Sequence, residues 1–393
     1  MKIAYICLDK GVPVFGEKGS SIHVQEVLNG LKKRNASIKL FTNKVGGDKP
    51  KELEGIQVYD LPILDNSSKT RSFVDSENQK VTEIISREGP FDFFYERYSL
   101  WSFAAMEYAK SFNIPSVLEV NAPLIEEQTK YRGLKDPSVA KWVADRVFSA
   151  TKEILAVSEG VKSYLHSFSS ARKKIHVIPN GVNPDRYHEN KRTLDYTGDE
   201  TFVIGFVGTL KPWHGLSMLV ESFEFVHQQD PNTQLLIVGD GPEKNNIIQD
   251  LKDRNLLSAT KFTGSVPHSE IPSLLNSMNV AVAPYPKIEK FYFSPLKVFE
   301  YMMAGLPVVA SNIGQLNDLI QNEKNGFLYP PENIETLSKI LLRLKENSHL
   351  RQTIGTAAKA HIIQNHTWDI VVSQILSLSN LENNQNYTGE LIQ

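Results

Sequence analysis

The chain alternates short apolar runs with helix-length amphipathic segments, and it does so twice. In the first half the runs are "KIAYICL", "SIKLFT", "IQVYDLP", "FDFFYER", "PSVLEV", "EILAVS" and "IHVIPN". Several are apolar without a break, the pattern of strands covered on both faces. Between them lie stretches such as "SIHVQEVLNGLKKR", whose Ile22, Val24, Val27, Leu28 and Leu31 recur at helical spacing. The rhythm restarts with "TFVIGFVG", "TQLLIVG", "KFTG", "VAVAPY" and "PVVAS". Alternation of this kind requires parallel sheets joined by right-handed crossover helices. The expected fold class is α/β, with two doubly wound, Rossmann-like domains.

The seam is expected in "IPNGVNPDRYHENKRTLDYTGDET", Ile178 to Thr201, which is rich in Pro, Gly, Asn and charge and carries no apolar period. The expected division is a first domain over 1–182, a linker over 183–200 and a second domain over 201–367. The polar tail after it, "NLENNQNYTGELIQ", is expected to fray. Doubly wound sheets take ligands beyond the carboxyl ends of their strands. Two such domains facing each other across a cleft would hold a substrate between them.

Composition narrows the classes. A net charge of −2 argues against a nucleic-acid binder with a broad basic face. The basic clusters at Lys32-Lys33-Arg34 and Arg172-Lys173-Lys174 read as solvated ends of elements, so any membrane contact is expected to be peripheral. The single cysteine, Cys7, rules out an internal disulfide and suits a reducing cytoplasm. The opening residues form a strand rather than a signal peptide, and no apolar run is long enough for a membrane span. A cytoplasmic location is expected.

Several chemistries lack their motif. There is no phosphate-binding G-x-x-x-x-G-K-[ST], no G-x-G-x-x-G after the first strand, no H-E-x-x-H and no Cys/His cluster for zinc. No Asp-x-Asp pair is present to hold a divalent metal against a diphosphate. A metal-free handling of phosphate, by helix-terminal amides with Lys or Arg, is the expectation.

Four stretches suit it, each with a plainer alternative. "FGEKGSSIHVQEV" runs a glycine-rich loop through Gly19 into Ser20, either an anion cradle or an ordinary capped helix start. "GFVGTLKPWHGLSML" presents Lys211 and His214 on a loop that Gly208, Pro212 and Gly215 make rigid at a sheet's carboxyl edge, Lys211 serving either an anion or solubility alone. In "IVGDGPEK", Asp240 either caps the next helix or faces the ligand. In "YFSPLKVFEYMMAGLPVVAS", Ser294 reads as an N-cap and Pro295 as the first helical residue. Leu296, Phe299 and Met303 then fall on the core face. Glu300 lies at the border of that face, where its charge needs Lys297 at i−3 or a ligand hydroxyl pair such as a ribose.

Taken in order, these stretches resemble the retaining glycosyltransferases of family 4, which have the GT-B fold. The likeness runs through "KGSSIHVQEVLNGL", "VIPNGVNPDRY", "FVGTLKPWHG", "LLIVGDGP", "KFTGSVPHSEIPSLLNSMNVAVAPY", "SPLKVFEYMMAGLPVVAS", "GFLYPP" and a final "TWDIVV" helix. In the family that last helix, here about 368–383, crosses back to the first domain. The resemblance implies a nucleotide-sugar donor held by the second domain, with uridine diphosphate the commoner case. It implies ribose contacts from Glu300, a frame for the base from Ser265 and Val266, and amides over Phe293, Ser294, Pro295 and Leu296 that meet the diphosphate or sugar. Lys211 and His214 would stabilise the departing diphosphate, with Gly19 and Ser20 closing from the first domain. A sugar, lipid-linked or small-molecule acceptor would lie against "YERYSL" and "EVNAPLIEEQ", at Arg97, Tyr98 and Glu127, with Glu119 and Asn121 joining Lys211 and His214 as catalytic candidates. Salt links among Glu96, Arg97 and Glu119 are the equal structural alternative.

The chain also departs from the family. Thr209 stands where an Arg is usual, His214 where a Lys is usual, Asn121 at a frequent His, and Tyr292 at the first Glu of the E-x7-E pair. "KPWHG" and "SPLK-x-FEYM" look like a recurring branch, so a variant site is expected. The reaction the resemblance implies is retaining transfer of a hexose or N-acetylhexosamine without a metal or other cofactor. The alternatives are a catalytically silent sugar-nucleotide-binding protein and a nucleotide-sugar epimerase of the same fold.

Overall fold

The computed structural model describes residues 1–61, 70–187 and 201–381. Most of the expected linker, 188–200, and the tail from 382 lie outside the described residues. Contacts divide the chain into two units. The first comprises Met1–Asn180 with Tyr292–Ser294 and the helix from Trp368; the second comprises Gly181–Phe291 with Pro295–Thr367.

The first unit is built on a parallel seven-stranded sheet. Its strands are β1 (Lys2–Cys7), β2 (Ser37–Thr42), β3 (Gln57–Asp60), β4 (Phe93–Arg97), β5 (Ser116–Val120), β6 (Glu153–Ala156) and β7 (Ile175–Val177), in the order β3-β2-β1-β4-β5-β6-β7. Every residue of β4 and β5 is buried, which makes the charged Glu96, Arg97 and Glu119 among them conspicuous. In-register pairing puts Tyr5 beside Tyr95, Cys7 beside Arg97 and Arg97 beside Glu119, so this polar set shares one face. Helix Gly19–Lys33 and helix Trp368–Leu378 belong to the same unit. They approach so closely that a Cβ at Gly30 would fall 2.6 Å from Val372. Arg34 clamps the pair, meeting the Asp369 carboxylate at 2.9 Å and the Ser373 hydroxyl at 2.9 Å.

The second unit has a parallel six-stranded sheet: β8 (Phe202–Val207), β9 (Thr233–Val238), β10 (Thr260–Gly264), β11 (Val280–Ala283), β12 (Val308–Ser311) and β13 (Phe327–Tyr329), in the order β10-β9-β8-β11-β12-β13. Here β13 is an addition to the strands expected from the apolar runs. Phe206, Phe223 and Phe327 anchor the core, each fully or almost fully buried and each contributing about 1.5–3 kcal/mol by leaving water. Gly205 in the middle of β8 is dictated by packing, since a Cβ there would lie 1.9 Å from the Met278 sulfur. In both sheets the order reverses beside the first strand, between β1 and β4 and between β8 and β11. Those two switch points are where a doubly wound sheet opens a crevice at its carboxyl edge.

Helix Leu296–Met303 starts one residue later than expected, and Ser294 does not cap it. The Ser294 hydroxyl instead accepts from the Asn180 amide at 3.2 Å, and its carbonyl accepts from Asn180 Nδ2 at 2.7 Å. Leu296 is only half-buried, whereas Val298 through Met303 are all buried, so the buried face is wider than the spacing implied. Tyr301 fastens this helix to β8: its hydroxyl accepts from the Val207 amide at 2.7 Å and donates to the Val207 carbonyl at 3.1 Å.

Candidate functional site

The candidate site of the second unit lies at its switch point and is shaped by glycines. Beyond β8 the chain passes Gly208 (φ +140°), turns through Pro212–His214, and enters helix Leu216–Gln229 from Gly215 (φ +64°). A Cβ at Gly215 would stand 1.7 Å from the Pro284 carbonyl oxygen, so the loop after β8 is pressed against the loop after β11. The loop after β9 closes the other side. Leu210 donates its amide to the Asp240 carbonyl at 3.0 Å, and a Cβ at Gly241 would lie 2.4 Å from the Leu210 oxygen.

On this scaffold sit Thr209, Lys211 and His214. Thr209 is exposed and carries no charge. Its carbonyl lies 2.5 Å from His214 Nδ1; a carbonyl only accepts, so Nδ1 carries the proton. Burial, reinforced by the nearby Lys297 and Lys211, depresses the His214 pKa to about 3, so the imidazole is neutral with its Nε2 unprotonated. His214 is therefore no standing cation, and the charge of the loop is that of Lys211, which lies 5.6 Å above the Trp213 ring. A second ammonium comes from the helix: Lys297 Nζ is buried, 4.3 Å from the Phe206 ring centre and 5.3 Å from that of Tyr285. From helical spacing alone, Lys297 is expected only as a partner for Glu300.

Glu300 is buried, and its charge is met by a residue the sequence reading did not select. His268 Nε2 lies 2.6 Å from Glu300 Oε1. His268 opens the short turn after "GSVP", so the stretch holding Ser265 (exposed) and Val266 (half-buried) is brought beside Glu300. Asp240 does not cap the helix that follows; its half-exposed carboxylate accepts from the Gly241 amide at 2.8 Å and pairs with Lys244 at 2.7 Å. The Lys244 bond, followed by the Gly241 amide, lowers its pKa.

The first unit gathers a second polar cluster at its own switch point. His23 Nε2 lies 2.5 Å from Glu119 Oε1, with Arg97 3.9 Å from the other carboxylate oxygen. Burial would raise the Glu119 pKa, but His23 and then Arg97 outweigh it and the net shift is downward. The Trp368 ring meets His23 edge-on at 4.9 Å, and Tyr5 stacks on Tyr95 at 5.1 Å. Glu96 does not join this set, because alternation along β4 turns it to the other face. There burial pushes its carboxyl up to about 7 against a smaller opposing pull from Ser102.

Tyr98 is buried against Phe148. Asn121, just past β5, is half-buried with its Oδ1 buried. Glu127 accepts from the Tyr292 hydroxyl at 3.3 Å and faces Arg132 at 3.8 Å. Gly19 is exposed and Ser20 half-buried at the start of their helix, and Phe293 and Ser294 belong to this unit while Pro295 and Leu296 belong to the other. His23 escaped notice because it sits among apolar residues on a helix and its carboxylate partner is far away in the chain; in the structure that helix is buried continuously from Ser21 to Leu28. Among the described residues no three His, Cys, Asp or Glu side chains converge as a metal site, and no helix is long and apolar enough to cross a membrane.

Comparisons with known proteins agree with this architecture. Residues 18–186 match Glycosyltransferase Family 4, and residues 191–361 match Glycosyl transferases group 1. An uncharacterised glycosyltransferase of Methanocaldococcus jannaschii is 24% identical, over 96% of this chain and 97% of its own. The D-inositol 3-phosphate glycosyltransferase of Jonesia denitrificans is 23% identical over 96% and 95%. In fold, the chain superposes on Anabaena HepE, solved in complex with UDP and glucose, with a TM-score of 0.71 and 20% identity over 98% of this chain and all of that one. Carrying a family 4 domain followed by a group 1 domain on two Rossmann-like sheets, the chain is a glycosyltransferase of the GT-B fold.

Proposed function

We propose that the protein moves a hexose or N-acetylhexosamine from a nucleotide sugar, with uridine diphosphate as the expected carrier, to an acceptor hydroxyl. The reaction retains the anomeric configuration and needs neither a metal nor another cofactor. The observation that carries this reading is the glycine-shaped loop Gly208–Gly215 at the switch point of the second unit, with Lys211 on it and Glu300 on the adjoining helix. That combination of a close-approach backbone, a cation and a carboxylate suits a nucleoside diphosphate: phosphates for the first two, ribose hydroxyls for the last. The UDP bound by the Anabaena protein is consistent with it.

In the reaction the acceptor oxygen attacks the anomeric carbon from the face the diphosphate leaves. The bond from that carbon to the diphosphate oxygen breaks, and the acceptor proton passes to the departing diphosphate. The protein's part is to stabilise the charge growing on the diphosphate and to align the acceptor. Lys211 serves the first task. The unit carrying Arg97, Glu119, Asn121 and Glu127 serves the second, for a sugar, lipid-linked or small-molecule acceptor, in the cytoplasm and with no more than peripheral membrane contact.

The test is donor consumption by nucleotide sugars with and without a mixed acceptor pool, read by mass spectrometry. Acceptor-dependent release of nucleoside diphosphate with a matching glycoside is expected. Turnover without any glycosylated product would overturn the proposal.

A further inference from the structure

We propose that Lys297 is a donor-binding residue whose ammonium meets the diphosphate of the donor nucleotide, supplying the fixed charge that Thr209 does not. The proposal rests on the nucleotide-sugar reading above and extends it to a residue on a different element.

The geometry is unusual for a lysine. Although the residue keeps some exposure along its length, Nζ itself is buried and has no hydrogen-bond partner among the described residues. It packs over Phe206 and Tyr285, and it reaches Gly208 so closely that a Cβ there would lie 3.1 Å from it. Phe206 and Gly208 flank the end of β8, Tyr285 follows β11, and so the ammonium stands between the two strands that form the switch point. Glu300, at i+3, is the acid nearest in sequence, but its Oε1 is taken by His268 at 2.6 Å.

A buried ammonium held only by ring faces is costly, and an anionic ligand would offset that cost. Ring faces offset part of that cost. The remaining groups that act on it electrostatically are Glu300, which favours the charge, and His214, which is neutral. Burial lowers the lysine pKa to about 7, which marks a cation short of an anionic partner. An arriving diphosphate would supply three donors' worth of acceptor oxygens and hold the ammonium charged. The diphosphate would then sit between Lys297 and Lys211, over the Gly208 backbone.

Calorimetry with UDP and with uridine tests this on the wild type, Lys297→Met and Lys297→Arg. If Lys297 meets the diphosphate, Lys297→Met weakens UDP about tenfold or more, ~1.4 kcal/mol. Uridine affinity stays within about twofold and Lys297→Arg recovers part of the loss. Removing an unpartnered buried charge should leave the ligand-free Tm unchanged or raised, so a variant that unfolds or melts earlier would assign Lys297 a structural role and overturn the proposal. Wild-type affinity for UDP in a folded Lys297→Met would overturn it equally. If the wild type binds no nucleoside diphosphate at all, the donor reading itself fails, and this inference with it.

Discussion

Glu300→Ala offers the sharpest separation of a ligand role from a structural one. The carboxylate is buried and bonded to His268 at 2.6 Å, so the substitution removes one charged hydrogen bond within the protein and, on the donor reading, one to the ribose. A hydrogen bond to a charged group is worth about 1.5–3 kcal/mol. The intramolecular loss should appear as a lower Tm in the absence of ligand. The ligand loss should appear as a UDP affinity weakened by roughly 10–150-fold, the same energy converted at ~1.4 kcal/mol per decade. The two are separated by repeating the calorimetry with 2′,3′-dideoxy-UDP. That ligand has no hydroxyl pair to lose, so wild type and variant should bind it within about threefold of each other. Equal losses for UDP and the dideoxy analogue would show that Glu300 acts by holding His268 and the "GSVP" turn in place, and would refute a ribose contact.

Three further outcomes follow from the geometry. His214 has a folded-state pKa near 3 against an ordinary value near 6.5, so the unfolded chain binds more protons between those values. Its contribution to stability is complete above pH 6.5 and is lost as pH falls toward 3; His366, lowered to about 4 by burial and His361, acts in the same direction. His214→Gln should flatten the rise of Tm between pH 4 and 6.5, and an unchanged slope would show that the imidazole is not held neutral. Gly215→Ala should lower Tm and abolish donor binding, because it places a Cβ 1.7 Å from the Pro284 oxygen at φ +64° and such strain costs on the order of 1–3 kcal/mol before the clash is counted. A wild-type melt for that variant would contradict the described loop. Donor turnover should survive excess EDTA; a strict requirement for manganese or magnesium would overturn phosphate handling by amides and lysines.

The fold was largely legible because the strands are covered on both faces. Runs such as "SIKLFT" and "TFVIGFVG" read as strands and are strands. β13 was not, because "FLY" is three residues long, abuts Pro330 and shows no period of its own. The start of helix Leu296–Met303 was misplaced by one residue because a Ser-Pro pair normally marks a cap, whereas here the Ser294 hydroxyl and carbonyl are occupied by Asn180, far away in sequence.

The site was legible where chemistry resides in one loop. "KPWHG" puts Lys211 and His214 on one loop in the sequence as in the structure, but the protonation of His214 depends on burial and on Lys297, neither visible in a local pattern. His268 and His23 were missed for the same reason: each finds its carboxylate across a long stretch of chain, 32 residues from His268 to Glu300 and far more from His23 to Glu119. Lys297 was seen as a neighbour of Glu300 by helical spacing. That it instead points at Gly208 and two aromatic rings is a tertiary fact.

The central claim is retaining transfer from a nucleotide sugar, and the anomeric configuration of the product tests it most directly. An α-linked donor should be incubated with an accepted sugar alcohol and the purified glycoside read by proton NMR, through the coupling of its anomeric proton. The account predicts an α-linked product formed in step with nucleoside diphosphate release. A β-linked product would contradict departure and attack on the same face, and with it the assignment of the proton to the departing diphosphate.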